Sequence, residues 1–515
     1  MADWFVREDS THGGTNAGTS YANAWQGWGA IVWGVSGVKA GDTLYVCGTH
    51  ARNMTDTGAH GGTSSLPVTI RGDYSGDPGT ILMSSWGRFN VAVAWTTILN
   101  LTVATSVTGD VAIYVTADGV RVTGCTVTGG LGGIYSAQGA ITLFEVTGCT
   151  VSGTSDMGIR YMLTTESSTS TGINFSDNLV HDTNGFGIDV RVTGNTSYIN
   201  DVKIRNNEVY NTRQSSISFA GTMLGSPDIP SIYSSGLEIV GNYVHDCGRT
   251  AGDSGSHGGL HVTGSGEALI CANRVVACYA TGAGIQTLRN RNAVICFNHI
   301  EGIRSGTPTS LYIGGLPIDG NGIFFDNGTR GGTAFGNYIT DLITTGYPGS
   351  GCGITIWDCT DVTYYGNVVE NAACGVFYGY STETRNRIYN NTFINCTLGA
   401  YKHGNSIPAG VTEIKNNILY NCATGFHSYD ANPMIDNDYN CIYGSATTYS
   451  VITAGANDIS VNPNLGSDYR PRAPECTRTG VAINGKDYYG KNFYAQPNLG
   501  AVDDISDTPR YLLKP

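Results

Sequence analysis

The chain has 515 residues, 72 of them glycine, and its charged residues make up 13% where about 25% is usual. That length exceeds what one compact core fills, unless a repeat lets a single core grow along an axis. With 41 acidic against 28 basic residues the formal charge is −13, which argues against a sequence-wide footprint for nucleic acid or an anionic membrane. No stretch approaches the roughly 18 apolar residues of a membrane span.

In chain order, the opening Met1-Ala-Asp-Trp-Phe has no basic stretch leading into an apolar one, so no signal peptide is visible. Ala22-Asn-Ala-Trp-Gln-Gly-Trp-Gly-Ala-Ile-Val-Trp33 is the best helix candidate and precedes a strand at Asp42-Thr-Leu-Tyr-Val. An open solenoid end exposes apolar side chains and unpaired strand edges, so residues 1–64 read as a helical N-terminal cap with the first strands. From 65 to 452 one phrase recurs, an Asn followed two residues later by an aliphatic or aromatic residue: Asn178-Leu-Val, Asn207-Glu-Val, Asn242-Tyr-Val, Asn273-Arg-Val, Asn298-His-Ile, Asn337-Tyr-Ile, Asn367-Val-Val, Asn391-Thr-Phe and Asn417-Ile-Leu. Upstream, Leu101, Cys125 and Cys149 keep the register at 24-residue steps. The tail 453–515 loses the phrase, turns Pro- and Tyr-rich, and is expected to fold back over the last coil.

A 24-residue period without helical periodicity predicts an all-β fold, a parallel solenoid of three short strands and three bends per turn, with about 12–13 coils. Coils stack at about 4.8 Å, so equivalent Asn side chains form a hydrogen-bonded ladder along the axis. Cys271 and Cys296 sit two residues before a ladder Asn, and Cys247, Cys278, Cys396 and Cys422 five after one. Stacked thiols filling a narrow interior are expected there rather than disulfides.

Each coil continues with a Gly-aliphatic step that opens a further strand. If the aliphatic residue points inward, the outward positions on successive coils read Tyr135, Arg160, Asp189 with Arg191, Ser218, His261, Gln286, Phe324 with Asp326, Thr355 with Trp357, Phe377 and Lys402. Arg160, Asp189, Arg191, His261 and Arg289 form a cluster suited to β-elimination on a uronate, where cations neutralise the carboxylate and a base removes the adjacent proton. A rival acidic set is Asp326 with Asp319 or Asp358, a carboxyl pair of the kind glycoside hydrolases use. Gln286, Phe324, Trp357, Phe377, Tyr380 and Lys402 are candidates for binding sugar.

The Asn-x-Val and Gly-Ile-x-Val coils, with Gly18-Thr-Ser-Tyr-Ala-Asn-Ala-Trp, Gly41-Asp-Thr-Leu-Tyr-Val and the closing Gly-Lys and Gly-Ala-Val, resemble the right-handed parallel β-helix superfamily of pectate-lyase type. Phe186-Gly-Ile-Asp189-Val-Arg191 is similar to the Tyr-Gly-Phe-Asp-Pro-His strand of alginate epimerases, with Val190 and Arg191 in place of Pro and His. Thr287-Leu-Arg289-Asn-Arg-Asn resembles the Thr-Leu-Arg-His-Gly-Asn strand of alginate and chondroitin lyases, although Gly264 and Ser265 stand where those enzymes carry a Lys. The resemblance implies a polysaccharide lyase, or else a glycoside hydrolase, a uronate epimerase or a non-catalytic tailspike or adhesin module. It also implies a polysaccharide partner, a monomer or homotrimer, an extracellular location (secreted or virion-associated), and calcium as an optional cofactor with no legible ligand set.

Overall fold

The computed structural model describes residues 1–8, 14–56, 60–84, 87–194, 196–221, 234–248, 258–280, 282–305, 312–313, 316–317, 320–342, 350–379, 385–403, 412–429 and 435–503. It divides into two units, Met1–Leu224 and Gly225–Pro515. Each is a parallel β-solenoid of three sheets, and the described residues contain no α-helix.

One coil of the first unit shows how the sequence builds the rest. Phe144–Thr147 lies in the first sheet, Thr150–Ser152 in the second and Met157–Leu163 in the third. Each pairs in parallel with the strand one coil on: Val146 with Phe175, Val151 with Val180, and Ile159 with Ile188. Inward-facing aliphatic and aromatic side chains therefore stack on their own kind and are excluded from water.

The bend between the first two sheets has a fixed chemistry. The residue before each ladder position is left-handed: Gly148 at φ 64°, Asp177 at 57°, Asn206 at 53°, Ala272 at 56°, Phe297 at 53° and Asn416 at 61°. Gly, Asn and Asp adopt that conformation readily, whereas Ala272 and Phe297 are held in it by the stack. The ladder residue then turns inward. In the second unit the Asn242 Nδ2 donates to Asn273 Oδ1 at 2.9 Å, and the relay continues through Asn298, Asn337, Asn367, Asn391 and Asn417 to Asn440. Each amide also satisfies a backbone carbonyl of a preceding coil, as Asn337 Nδ2 does for Ile295 at 2.9 Å. In the first unit Asn178 donates to Asn207, the Cys149 N–H donates to Asn178 Oδ1, and the Cys125 N–H reaches Cys149 Sγ at 3.4 Å. The thiol stands in for the missing amide oxygen.

The Gly of each Gly-aliphatic step is required by packing. A Cβ on Gly158 would fall on Val180 and the Gly187 carbonyl, and one on Gly187 would fall on Val209 and the Ser216 carbonyl. The bend is that tight.

Two expectations need correction. The helix expected over Ala22–Trp33 is absent; the segment makes 3-10 turns at Tyr21–Asn23 and Trp28–Ala30 around a two-residue strand at Trp25–Gln26. Two Gly and three Trp make it a poor helix and a good cover: Trp25 stacks on Trp4 at 5.2 Å, Trp28 meets Phe89 edge-on, and the Trp28 indole N–H donates to the Thr55 carbonyl. Cys247 and Cys278 form a disulfide rather than a stacked thiol pair. The tail packs on the last coil and continues past it. Ile459 pairs with Cys441, and the Asp458 carboxylate accepts the Asn440 N–H and Nδ2, ending the ladder. The chain then returns along the second sheet, where the Gly500 N–H donates to the Asn416 carbonyl, Ala501 N–H to Thr392 Oγ1, and Val502 is buried against Val368.

Candidate functional site

The outward face of the third sheet carries the predicted residues, and each unit places its own share. In the first unit Tyr135, Arg160, Asp189 and Ser218 pair in one row across successive coils, with Arg191 two residues beyond Asp189. Asp189 is fully buried, and its Oδ2 accepts the Arg160 Nε at 2.5 Å and the Arg191 Nε at 2.7 Å. Arg160 also reaches Asp156 at 3.4 Å, and both guanidinium groups lie over the Phe186 ring, at 5.5 and 4.9 Å. Arg160, Asp189 and Arg191 are thus brought together as expected, but two cations face two carboxylates. Among these four groups no surplus positive charge is left to neutralise a uronate.

In the second unit His261, Gln286, Phe324, Thr355 and Phe377 follow one another in register. Tyr401, not Lys402, continues the row. Lys402 pairs with Tyr378 and Ser428 on the alternating set and is 6% exposed, because the step Gly399-Ala400 puts Tyr401 outward and turns Lys402 in. Tyr380 and Asp319 lie outside the described residues. His261 is almost buried, with its Nε2 3.2 Å from Thr263 Oγ1. Arg289 follows the strand Ala283–Leu288, is left-handed at φ 53°, and is half-buried.

The chemistry concentrates on the neighbouring row, where Asp326 ends the strand Asn321–Asp326. Its Oδ2 accepts Gln286 Nε2 at 3.0 Å, and its Oδ1 is buried with no hydrogen-bond partner among the described residues. Burial pushes the Asp326 carboxyl up to about 6; the Gln286 amide and the Asn327 backbone N–H draw it down, the nearby Asp358 carboxylate raises it further, and Arg289 opposes that rise. Asp358 is half-buried in the bend after Cys352–Trp357, left-handed at φ 51°.

Gln286 Oε1, Asn321 Nδ2 and Thr355 Oγ1 on this face are also buried and have no partner among the described residues. They lie on the strand of Asp326 and its two neighbours. Each such atom costs about 1–3 kcal/mol unless something supplies a partner. Sequence reasoning missed Asn321; the available signal was an Asn where neighbouring coils place Ala283 and Cys352. Phe324, Trp357, Phe377 and Tyr401 pack as one apolar cluster beside these atoms, with Trp357 parallel to Phe377 at 6.1 Å.

Among the described residues no group of three or more His, Cys, Asp or Glu side chains could hold a metal ion. The described residues do not assemble the oxygen-rich cage that calcium takes. No helix among the described residues is long and apolar enough to cross a membrane.

Residues 315–469 match the family model of the periplasmic copper-binding protein NosD. No curated protein sequence matches the chain. Solved structures similar to it include a family GH136 lacto-N-biosidase from Eubacterium ramulus, at 14% identity over 90% of this chain and 68% of that one with a TM-score of 0.35. The PL6 alginate lyase AlyGC is 14% identical, and the match covers 92% of this chain and 57% of that one, with a TM-score of 0.42. The pectate lyase Pel9A is 11% identical over 98% and 96%, with a TM-score of 0.25. The chain therefore spans little more than half the length of the alginate lyase. Likeness at these levels concerns the winding of the chain and says nothing of activity.

Proposed function

We propose that the chain is a carbohydrate-active enzyme that cleaves a glycosidic bond by acid–base chemistry centred on Asp326. One observation carries this reading: a buried carboxyl with a pKa near 6, fixed on one oxygen by Gln286, whose other oxygen has no partner among the described residues. A protonated carboxyl held that way is suited to giving its proton to the oxygen of a leaving sugar. Asp358 is the second carboxyl and acts on the water or on the developing positive charge of the ring. Gln286 Oε1, Asn321 Nδ2 and Thr355 Oγ1 offer acceptor, donor and hydroxyl to sugar hydroxyls, while the buried Phe324 and Trp357 back the site.

Elimination on a uronate is the second reading, favoured by Arg289, which stands near enough to Asp326 to act on its ionisation and is a cation for a uronate carboxylate. The substrate under either reading is a polysaccharide met outside the cytoplasm, in keeping with the disulfide at Cys247–Cys278. A tailspike-like or adhesin role would keep the binding and lack the cleavage. Incubating the protein with neutral and uronate-containing polysaccharides separates these outcomes. New reducing ends without ultraviolet absorbance of an unsaturated uronate indicate hydrolysis, and that absorbance indicates elimination. Binding with neither would overturn the enzyme reading.

A further inference from the structure

Eight of the cysteines outside the Cys247–Cys278 disulfide fall into pairs on adjacent coils, yet they are not chemically equivalent. Cys247 and Cys278 each stand five residues after a ladder Asn, Asn242 and Asn273, with Cα atoms 4.6 Å apart. Cys396 and Cys422 hold the same place after Asn391 and Asn417, on coils whose strands pair Thr392 with Ile418 and whose backbones meet where the Ala423 N–H donates to the Cys396 carbonyl. A separate pair, Cys271 and Cys296, is in direct register between neighbouring first-sheet strands, with sulfurs 2.7 Å apart.

We infer that Cys396–Cys422 and Cys271–Cys296 are further disulfide sites of this chain. Cys125 and Cys149 stand at the ladder positions themselves, where Cys149 Sγ accepts the Cys125 N–H, and Cys374 Sγ lies 3.0 Å from the Val376 carbonyl. These stay as thiols. Each bridge forms by thiol–disulfide exchange with an external disulfide such as oxidised glutathione. One protein thiolate attacks the glutathione disulfide, forming a mixed disulfide and expelling one glutathione thiolate. The second protein thiolate then attacks that mixed disulfide and expels the other, so two protein thiols are oxidised as one glutathione disulfide is reduced to two glutathiones. Cys396 and Cys422 are 2% exposed or less, so their bridge closes while the coils are winding. Cys271 is partly exposed, and its bridge can also close in the folded protein.

The test is peptide mapping of the full chain, unfolded and refolded with reduced and oxidised glutathione, then alkylated and digested without reductant. The expected map contains linked peptides for 247–278, 271–296 and 396–422, with Cys125, Cys149, Cys352 and Cys374 alkylated. Recovery of Cys271 and Cys296, or of Cys396 and Cys422, as separately alkylated thiols while 247–278 is linked overturns the assignment for that pair. Linkage of Cys125 to Cys149 or of Cys352 to Cys374 overturns the rule that selects them. Refolding with reductant throughout should abolish the two proposed links and lower the denaturation midpoint.

Discussion

At the scale of single residues, Asp326 and Asp189 are both buried carboxylates on the same kind of face, and their surroundings give them opposite roles. Asp189 has two guanidinium partners, so removing it strands two cations: Asp189→Ala should destabilise the protein by about 3–5 kcal/mol in chemical denaturation, with Asp189→Asn intermediate. Asp326 makes no ion pair among the described residues and is held up to about 6 by burial. Its folded pKa is raised above the ordinary carboxylate value of 3.8, so the protonated form is the one folding favours. Its contribution to stability is therefore complete below about pH 4 and is lost as the pH rises through about 6, a swing of about 3 kcal/mol. Asp326→Asn removes that titration. It should match the wild type in stability at low pH and exceed it by up to about 3 kcal/mol at pH 7.5, measured by urea midpoints, while cleaving nothing. A carboxylate of purely structural use would give a loss at both pH values.

At the scale of elements, the ladder sets the register of every coil, and it was legible because the same Asn-x-aliphatic phrase must recur wherever the same bend recurs. The face read from that register holds for Arg160, Asp189, His261, Gln286, Phe324 and Phe377. It slips at Lys402, since a small Ala400 as the inward residue gives no hydrophobic cue to the phase and one residue changes the face. The ladder's end at Asp458 was illegible, because a single terminating acceptor repeats nothing. Asn337→Ala removes the acceptor for two Asn298 donors and the donor for the Ile295 carbonyl, and should cost about 2–4 kcal/mol in a denaturation midpoint. Asp458→Asn keeps one acceptor oxygen and should cost less than Asp458→Ala, with faster amide exchange confined to the last coil in the Ala variant. Equal effects of these two would mean that the carboxylate does not end the ladder.

At the scale of the whole molecule, repetition explains both what could be read and what could not. A three-sheet solenoid follows from the period alone, since each coil buries its inward residues only by stacking on the next. The ends lack that constraint: Trp25 stacks on Trp4, Trp28 sits in a 3-10 turn against Phe89, and the tail finds its place through contacts as distant as Ala501 with Thr392. The sulfur pairs show a third limit. Spacing alone puts Cys247, Cys278, Cys396 and Cys422 in one column, but it does not show whether a column of sulfurs is bonded. The site was legible as a face and illegible as a centre, because the pKa of Asp326 arises from burial and from Asp358 on a neighbouring coil rather than from any local motif.

The most direct test of the acid–base centre is the pH dependence of polysaccharide cleavage by the wild type and by Asp326→Asn, followed as reducing ends on the best substrate of the panel. The account predicts wild-type activity that falls as the pH rises through about 6, and a folded Asp326→Asn variant without activity at any pH. A folded Asp326→Asn variant that cleaves at the wild-type rate, with the same limb near 6, would contradict it.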